Sequence, residues 1–198
     1  MQTLGPKQQG RLRHWLLPLL AATLGALLML GGDDAAYWLR YERDALAQGQ
    51  LWRLFSAHWV HLGWSHLLMN MFGLLLVWAL VGEALNLLGW LLLLLFCSLF
   101  TTAAMWLLYP ELQWYVGFSG VLHGMLFGGA MMLFGGGDKG AALLAGIVLL
   151  KLLWEQLLGP LPGSESAAGG AVIVEAHLYG ALAGGLFAAG AYRFKVES

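Results

Sequence analysis

Long apolar runs alternate with short polar breaks along this chain. The runs occupy 15–32, 64–82, 87–109, 116–134, 141–158 and 171–191. Each approaches the ~20 residues that carry a helix across a ~30 Å hydrocarbon core. In lipid a helix satisfies its own backbone, and the alternative, a closed barrel, needs a two-residue alternation that these runs lack. The pattern predicts an all-α membrane protein with six transmembrane helices. The breaks carry turn residues: Gly82-Glu83, Tyr109-Pro110-Glu111, Gly135-Gly136-Gly137-Asp138, and Gly159-Pro160 through Gly170. One break is longer. Residues 33–58 hold Tyr37, Trp38, Tyr41 and Trp52 among Asp, Glu and Arg side chains, and such aromatics favour the bilayer interface. The expected organisation is a tail at 1–14, a membrane domain at 15–192 and a second tail at 193–198. The basic flank and length of the first run would also suit a signal peptide. An uncleaved span is preferred because no good cleavage site follows.

Composition agrees with the pattern. Of 198 residues, 60% are hydrophobic and 11% charged, with a mean hydropathy of +0.71. A soluble domain carries about 25% charged residues, so this chain has too little charge to coat a water-facing surface. The formal net charge of −1 gives no reason to expect a nucleic-acid partner. Cys97 is the sole cysteine, which removes an intrachain disulfide and a thiolate metal site.

Lys and Arg give the orientation. With the N-terminus inside, Lys7, Arg11, Arg13, Lys139, Arg193 and Lys195 lie on the cytoplasmic side, and Arg40, Arg43 and Arg53 lie outside. Six against three favours both ends in the cytoplasm. The second, fourth and sixth runs then start at the outer face. His61, His66 and Asn70 fall at the outer end of the second run, Ser119 at the head of the fourth, and His177 about two turns into the sixth. Chance would scatter these polar residues. Their common depth points to a site.

A serine needs a base to become a nucleophile, and histidine has a suitable pKa. His123 lies four residues after Ser119 on the same helix. His177 is distant in sequence, yet its helix carries a stripe of small residues, Ala176, Gly180, Gly184 and Ala188. The fourth run carries Gly120, Gly124 and Gly128 at the same spacing. Small residues every four let two helices approach closely, which would bring Ser119 and His177 together. His177 is therefore preferred as the base. His66 and Asn70, one turn apart, share a face and offer N–H donors for an oxyanion. The Ser119 backbone N–H at a helix N-terminus would add a third donor.

These residues carry a family resemblance. Gly117-Phe118-Ser119-Gly120 resembles the GxSG motif of rhomboid intramembrane serine proteases. His61, His66 and Asn70 resemble their second-helix signature, Ala176-His177 with Gly180 and Gly184 their sixth-helix signature, and Trp52-Arg53 a feature of their first long loop. The resemblance implies a six-helix rhomboid-like bundle and a Ser119–His177 dyad without a third acid. It also implies His66 and Asn70 at the oxyanion site, and a gate at helix 5 or the loop after it. The short chain and the sequence Gly120-Val121-Leu122-His123-Gly124 are similar to the rhombosortase branch. That branch implies substrates anchored by a C-terminal Gly-Gly motif, an apolar helix and a basic tail. His123 is then a mark of the branch with no derived role. A catalytically silent rhomboid-like binder of membrane helices is the rival, opposed by the intact Ser119 and His177.

Other features are weighed against this site. Gly135-Gly136-Gly137-Asp138 matches the GxGD pattern of aspartyl intramembrane proteases, but no second aspartate lies in a span. HExxH is absent, and His58, His61 and His66 lack i,i+4 spacing, so no metal and no other cofactor is expected. Lys151 and Glu155, one turn apart in the fifth run, are expected to pair, and are candidates for a gate or a substrate contact. Glu175, two residues before His177, is a candidate for orienting a water or shifting the base.

Overall fold

The computed structural model describes the backbone of residues 6–197 and the side chains of residues 15–193. The expected tail at 1–14, most of the tail at 193–198, and the side chains of Lys7, Arg11, Arg13 and Lys195 lie outside the described residues. The chain is helical almost throughout. Helix α1 (Pro6–Leu30) reaches back past the expected start of the first run into its basic flank. At Gly31-Gly32 the chain bends by 115° into α2 (Gly32–Leu39). Then come β1 (Tyr41–Glu42), α3 (Arg43–Ala47) and α4 (Arg53–Ser56). The long membrane helices follow: α5 (Trp64–Val81) and α6 (Leu87–Leu108), then β2 (Trp114–Tyr115), α7 (Ser119–Gly135) and α8 (Lys139–Leu158). A short α9 (Ser164–Ala168) precedes α10 (Val174–Glu197).

By length and apolar composition, α5, α6 and α8 are long enough to cross a bilayer, and the bent pair α1–α2 makes a fourth candidate. Helix α7 is apolar but shorter, at 17 residues. The outer surfaces of α5 and α8 are apolar along most of their length, with Leu68, Phe72 and Leu75 on one and Leu143, Ile147, Leu150 and Leu157 on the other. Water penalises such faces and lipid does not. The protein is a helical membrane protein.

Sequence and structure differ in the connection at 33–58. It is folded into three short helices and a strand. β1 pairs antiparallel with β2, Tyr41 opposite Tyr115 and Glu42 opposite Trp114. Two residues a side are too few for an alternation to show. The connection is held by cations that donate to backbone carbonyls. Arg43 donates from Nη2 to Tyr109 (2.8 Å) and Trp106 (2.9 Å) and from Nε to Leu112 (3.1 Å), closing the open carbonyl end of α6. Arg53 is buried and donates to the carbonyls of Arg40 (2.7 Å) and Tyr37 (2.9 Å). Both charges are thereby satisfied against main-chain dipoles.

Helix starts follow familiar capping rules. Asn86 accepts from the Gly89 N–H at 2.8 Å to begin α6. Asp138 accepts from the Gly140 N–H at 2.8 Å to begin α8, which accounts for the aspartate of the GxGD match as a cap.

Helix α7 sits at the centre, against α5, α6, α8 and, most extensively, α10. Against α10 it packs backbone to backbone. A Cβ added at Gly120 would lie 2.8 Å from the Ala176 carbonyl oxygen, and one at Gly128 would lie 2.9 Å from that of Gly184. On the facing helix, a Cβ at Gly180 would overlap the Gly120 carbonyl, and one at Gly184 the Gly124 carbonyl. The stripes read from the sequence therefore meet each other, as small residues in membrane helices do.

This contact predicts a contrast between glycines. Gly180→Ala should destabilise the detergent-solubilised protein by about 1–3 kcal/mol, as overpacking does. Gly146→Ala, on α8 where an added Cβ meets nothing within 4 Å, should be neutral or mildly stabilising. Thermal unfolding of the two variants measures the difference, and equal midpoints would refute the close packing.

Candidate active site

Ser119 is the first residue of α7, and three contacts fix the chain that leads to it. The Gly117 N–H donates to the Ala57 carbonyl at 3.0 Å, the Tyr115 hydroxyl donates to the Gly117 carbonyl at 2.7 Å, and Phe118 packs on Trp59 with ring centres 5.0 Å apart. Gly117 has φ +122, a conformation that favours glycine. A Cβ there would also press on the His66 ring, 2.7 Å from its Cε1. The first glycine of the GxSG motif thus both turns the chain and leaves room for His66.

His177, on the first turn of α10, faces Ser119 across the glycine contact. Its Nε2 lies 2.9 Å from Ser119 Oγ, and its Nδ1 lies 2.9 Å from Glu155 Oε2. A carboxylate only accepts, so Nδ1 carries the proton and donates to Glu155. Nε2 is then the free lone pair that accepts from the Ser119 hydroxyl. The other Glu155 oxygen, Oε1, holds Lys151 Nζ at 2.6 Å. Beside the expected serine–histidine pair, a buried carboxylate stands directly behind the imidazole, a contact the sequence reading did not include. It also extends the expected Lys151–Glu155 pair, which is not closed on itself but bonded onward to His177.

His123 is drawn into the same cluster. Its ring stacks on His177 with centres 4.2 Å apart and planes 19° apart, and its Nδ1–H donates to the Ser119 carbonyl at 2.7 Å. His123 therefore faces the imidazole of His177 rather than the seryl oxygen.

His66 and Asn70 line the opposite wall from α5. The Leu62 N–H donates to His66 Nδ1 at 3.3 Å. That bond puts the His66 proton on Nε2 and keeps the Nε2–H available as a donor. Asn70 Nδ2 is buried without a hydrogen-bond partner among the described residues. An unpartnered amide at that burial is costly unless something else accepts from it. Ser119, His177, His66, Asn70, His123, Lys151 and Glu155 all line one cavity of about 400 Å³. Its remaining walls are mostly apolar, with Met69, Leu76 and Leu126 from the helices, and Leu161, Ala168 and Val172 from the segment between α8 and α10, which also brings Ser164. Helix α8, which is the fifth run, and the segment after it, the expected gate region, thus both border the cavity.

Some expected residues fall elsewhere. Glu175 does not line the cavity and lies near Tyr109, at the C-terminal end of α6. Gly180 and Gly184 act in packing, and Gly120 and Gly124 face them. His61 lies edge-on to His66, 5.0 Å between ring centres. His58 is fully buried, its Nε2 2.8 Å from Thr102 Oγ1 and 3.0 Å from the Ser98 carbonyl, so it ties the first connection to α6.

One group of metal-ligating atoms exists among the described residues, in His123, Glu155 and His177, within 4.8 Å of one another. Both nitrogens of His177, Nδ1 of His123 and both oxygens of Glu155 are already engaged. A metal there would have to displace the bonds that define the cluster.

No curated protein sequence matches the chain. The family model of the rhomboid domain matches residues 48–194, a stretch that runs from the end of α3 into the last turns of α10. The matched stretch contains every residue of the cavity described above, and on that match the chain belongs to the rhomboid family, whose members are generally intramembrane serine proteases.

Proposed function

We propose that this protein is an intramembrane serine endopeptidase in which Ser119 is the nucleophile and His177 the general base. One observation carries the proposal. The Ser119 hydroxyl points at a histidine lone pair 2.9 Å away, in a cavity that also holds the unpartnered amide of Asn70. A structural serine would be satisfied by its own helix backbone, and a structural asparagine would not leave a buried donor empty.

The steps follow from the geometry. A substrate segment unwinds into the cavity and presents a carbonyl to Ser119. His177 Nε2 takes the hydroxyl proton as Oγ bonds to the carbonyl carbon. His66 Nε2–H, Asn70 Nδ2–H and the Ser119 backbone N–H supply the oxyanion donors. His177 returns the proton to the leaving amine, and water hydrolyses the acyl-enzyme. These steps use protein groups and water alone.

The wider setting is part of the same proposal. The chain forms a six-span bundle, residues 15–192, in the bacterial inner membrane, with both ends cytoplasmic and the site opening to the periplasm. The Lys and Arg distribution supports this orientation. The substrates are membrane-anchored proteins ending in Gly-Gly, an apolar helix and a basic tail, as the likeness of Gly120-Val121-Leu122-His123-Gly124 to the rhombosortase branch implies.

Co-expression with a tagged substrate of that type tests the assignment. Ser119→Ala and His177→Ala should each abolish cleavage, while His123→Ala should retain it. Cleavage that persists in Ser119→Ala would overturn the mechanism. With purified protein, Asn70→Ala should lower kcat by ~10²–10³-fold, the usual cost of one oxyanion donor. An unchanged kcat would remove Asn70 from the oxyanion site.

A further inference from the structure

Building on the serine-protease function proposed above, we infer that Glu155 is the third member of a Ser119–His177–Glu155 relay and that Lys151 serves to keep its carboxylate ionised. Glu155 is a positioning residue. It acts on the reaction through His177 and touches neither substrate nor serine.

The geometry supports both roles. The Glu155 side chain is 2% exposed, and its two oxygens are divided between two partners, Oε2 to His177 Nδ1 and Oε1 to Lys151 Nζ. A lone carboxylate at that burial would be strongly destabilised as an anion. The Lys151 ammonium, one helical turn away, cancels the charge without occupying the oxygen that faces His177. The imidazole is thereby held in the tautomer with its proton on Nδ1 and its lone pair toward Ser119. The stacked ring of His123 restrains the plane of His177 from the other side.

Charge counting shows why such a pair belongs here. In the resting site, Glu155 and Lys151 cancel and His177 is neutral. When Oγ bonds to the carbonyl carbon, the carbonyl electron pair moves to oxygen and the Ser119 proton moves to Nε2. The site then holds an oxyanion and an imidazolium beside the same ion pair, and its net charge is again zero. In an apolar cavity that balance matters more than in water. The new positive charge forms against the carboxylate, and Lys151 lies beyond that carboxylate. The other titratable groups around His177 are His123 on α7, His66 on α5 and Glu175 on its own helix.

A purely structural Lys151–Glu155 pair would predict something else: loss of stability on removal, with kcat intact in the protein that still folds. The test is a double-mutant cycle on the full chain in detergent, with the Gly-Gly substrate and thermal midpoints read alongside. Glu155→Gln should lower kcat on the order of 10²–10⁴-fold, the range set by removing the acid of a serine–histidine–acid triad, and leave KM near the wild-type value. Glu155→Asp should recover part of the loss. Lys151→Met should lower kcat in the wild-type background and add little on top of Glu155→Gln, because its effect runs through the carboxylate. A wild-type kcat in Glu155→Gln, or fully additive effects of the two substitutions, would overturn the relay. If Glu155→Gln does not fold, a wild-type kcat in Lys151→Met and Glu155→Asp would overturn it equally. Ser119→Ala separates the two levels. Cleavage surviving there removes the serine mechanism itself, whereas cleavage lost there but retained in Glu155→Gln removes only the relay.

Discussion

The backbone contact between α7 and α10 is the constraint on which the site depends. Ser119 and His177 sit at the starts of these helices, 58 residues apart in sequence. Lipid supplies no hydrophobic force to press two apolar helices together, so packing has to hold them. Glycine against carbonyl at Gly120, Gly124, Gly180 and Gly184 lets the axes approach until side chains at the helix ends come within hydrogen-bond range. Any Cβ on that seam acts on the Ser119–His177 distance as well as on stability.

A second constraint fixes the level of the site along the bundle. Helices α5, α7 and α10 begin at one end, and α8 finishes there. Polar residues in their end turns therefore share a depth although they are far apart in the chain. Helix starts leave N–H groups unpaired, which suits an oxyanion. The first connection braces this end. Arg43 closes the carbonyl end of α6, Arg53 ties the carbonyls of Tyr37 and Arg40, and His58 joins α6 to the loop before Ser119. Its polar residues serve the scaffold, so that those lining the cavity stay available.

Much of this is legible in the residues. The four-residue spacing of the glycines, the one-turn spacing of His66 and Asn70, and the common depth of Ser119 and His177 each rest on helix geometry, which the sequence sets locally. Helix boundaries inside the membrane are legible for the same reason. The internal order of 33–58 is not, because its helices are too short for periodicity and its arginines are paid for by distant carbonyls. The contact of Glu155 with His177 is intermediate. Lys151 and Glu155 announce an ion pair in the fifth run, and the depth argument applied to the serine and histidines also places Glu155 near their level. What the sequence does not contain is the rotation of α8, which decides whether the carboxylate faces lipid, lysine or histidine. For His123 the spacing puts it on the face of Ser119, but only the tertiary packing stacks it on His177.

The central claim is that this packing makes one serine reactive. Treatment of the solubilised protein with a fluorophosphonate, followed by peptide mass spectrometry, tests it most directly. The account predicts a single adduct, on Ser119, that disappears in His177→Ala although the hydroxyl remains. Labelling of Ser119 at the same rate without His177, or no labelling of Ser119 in the folded wild-type protein, would contradict it.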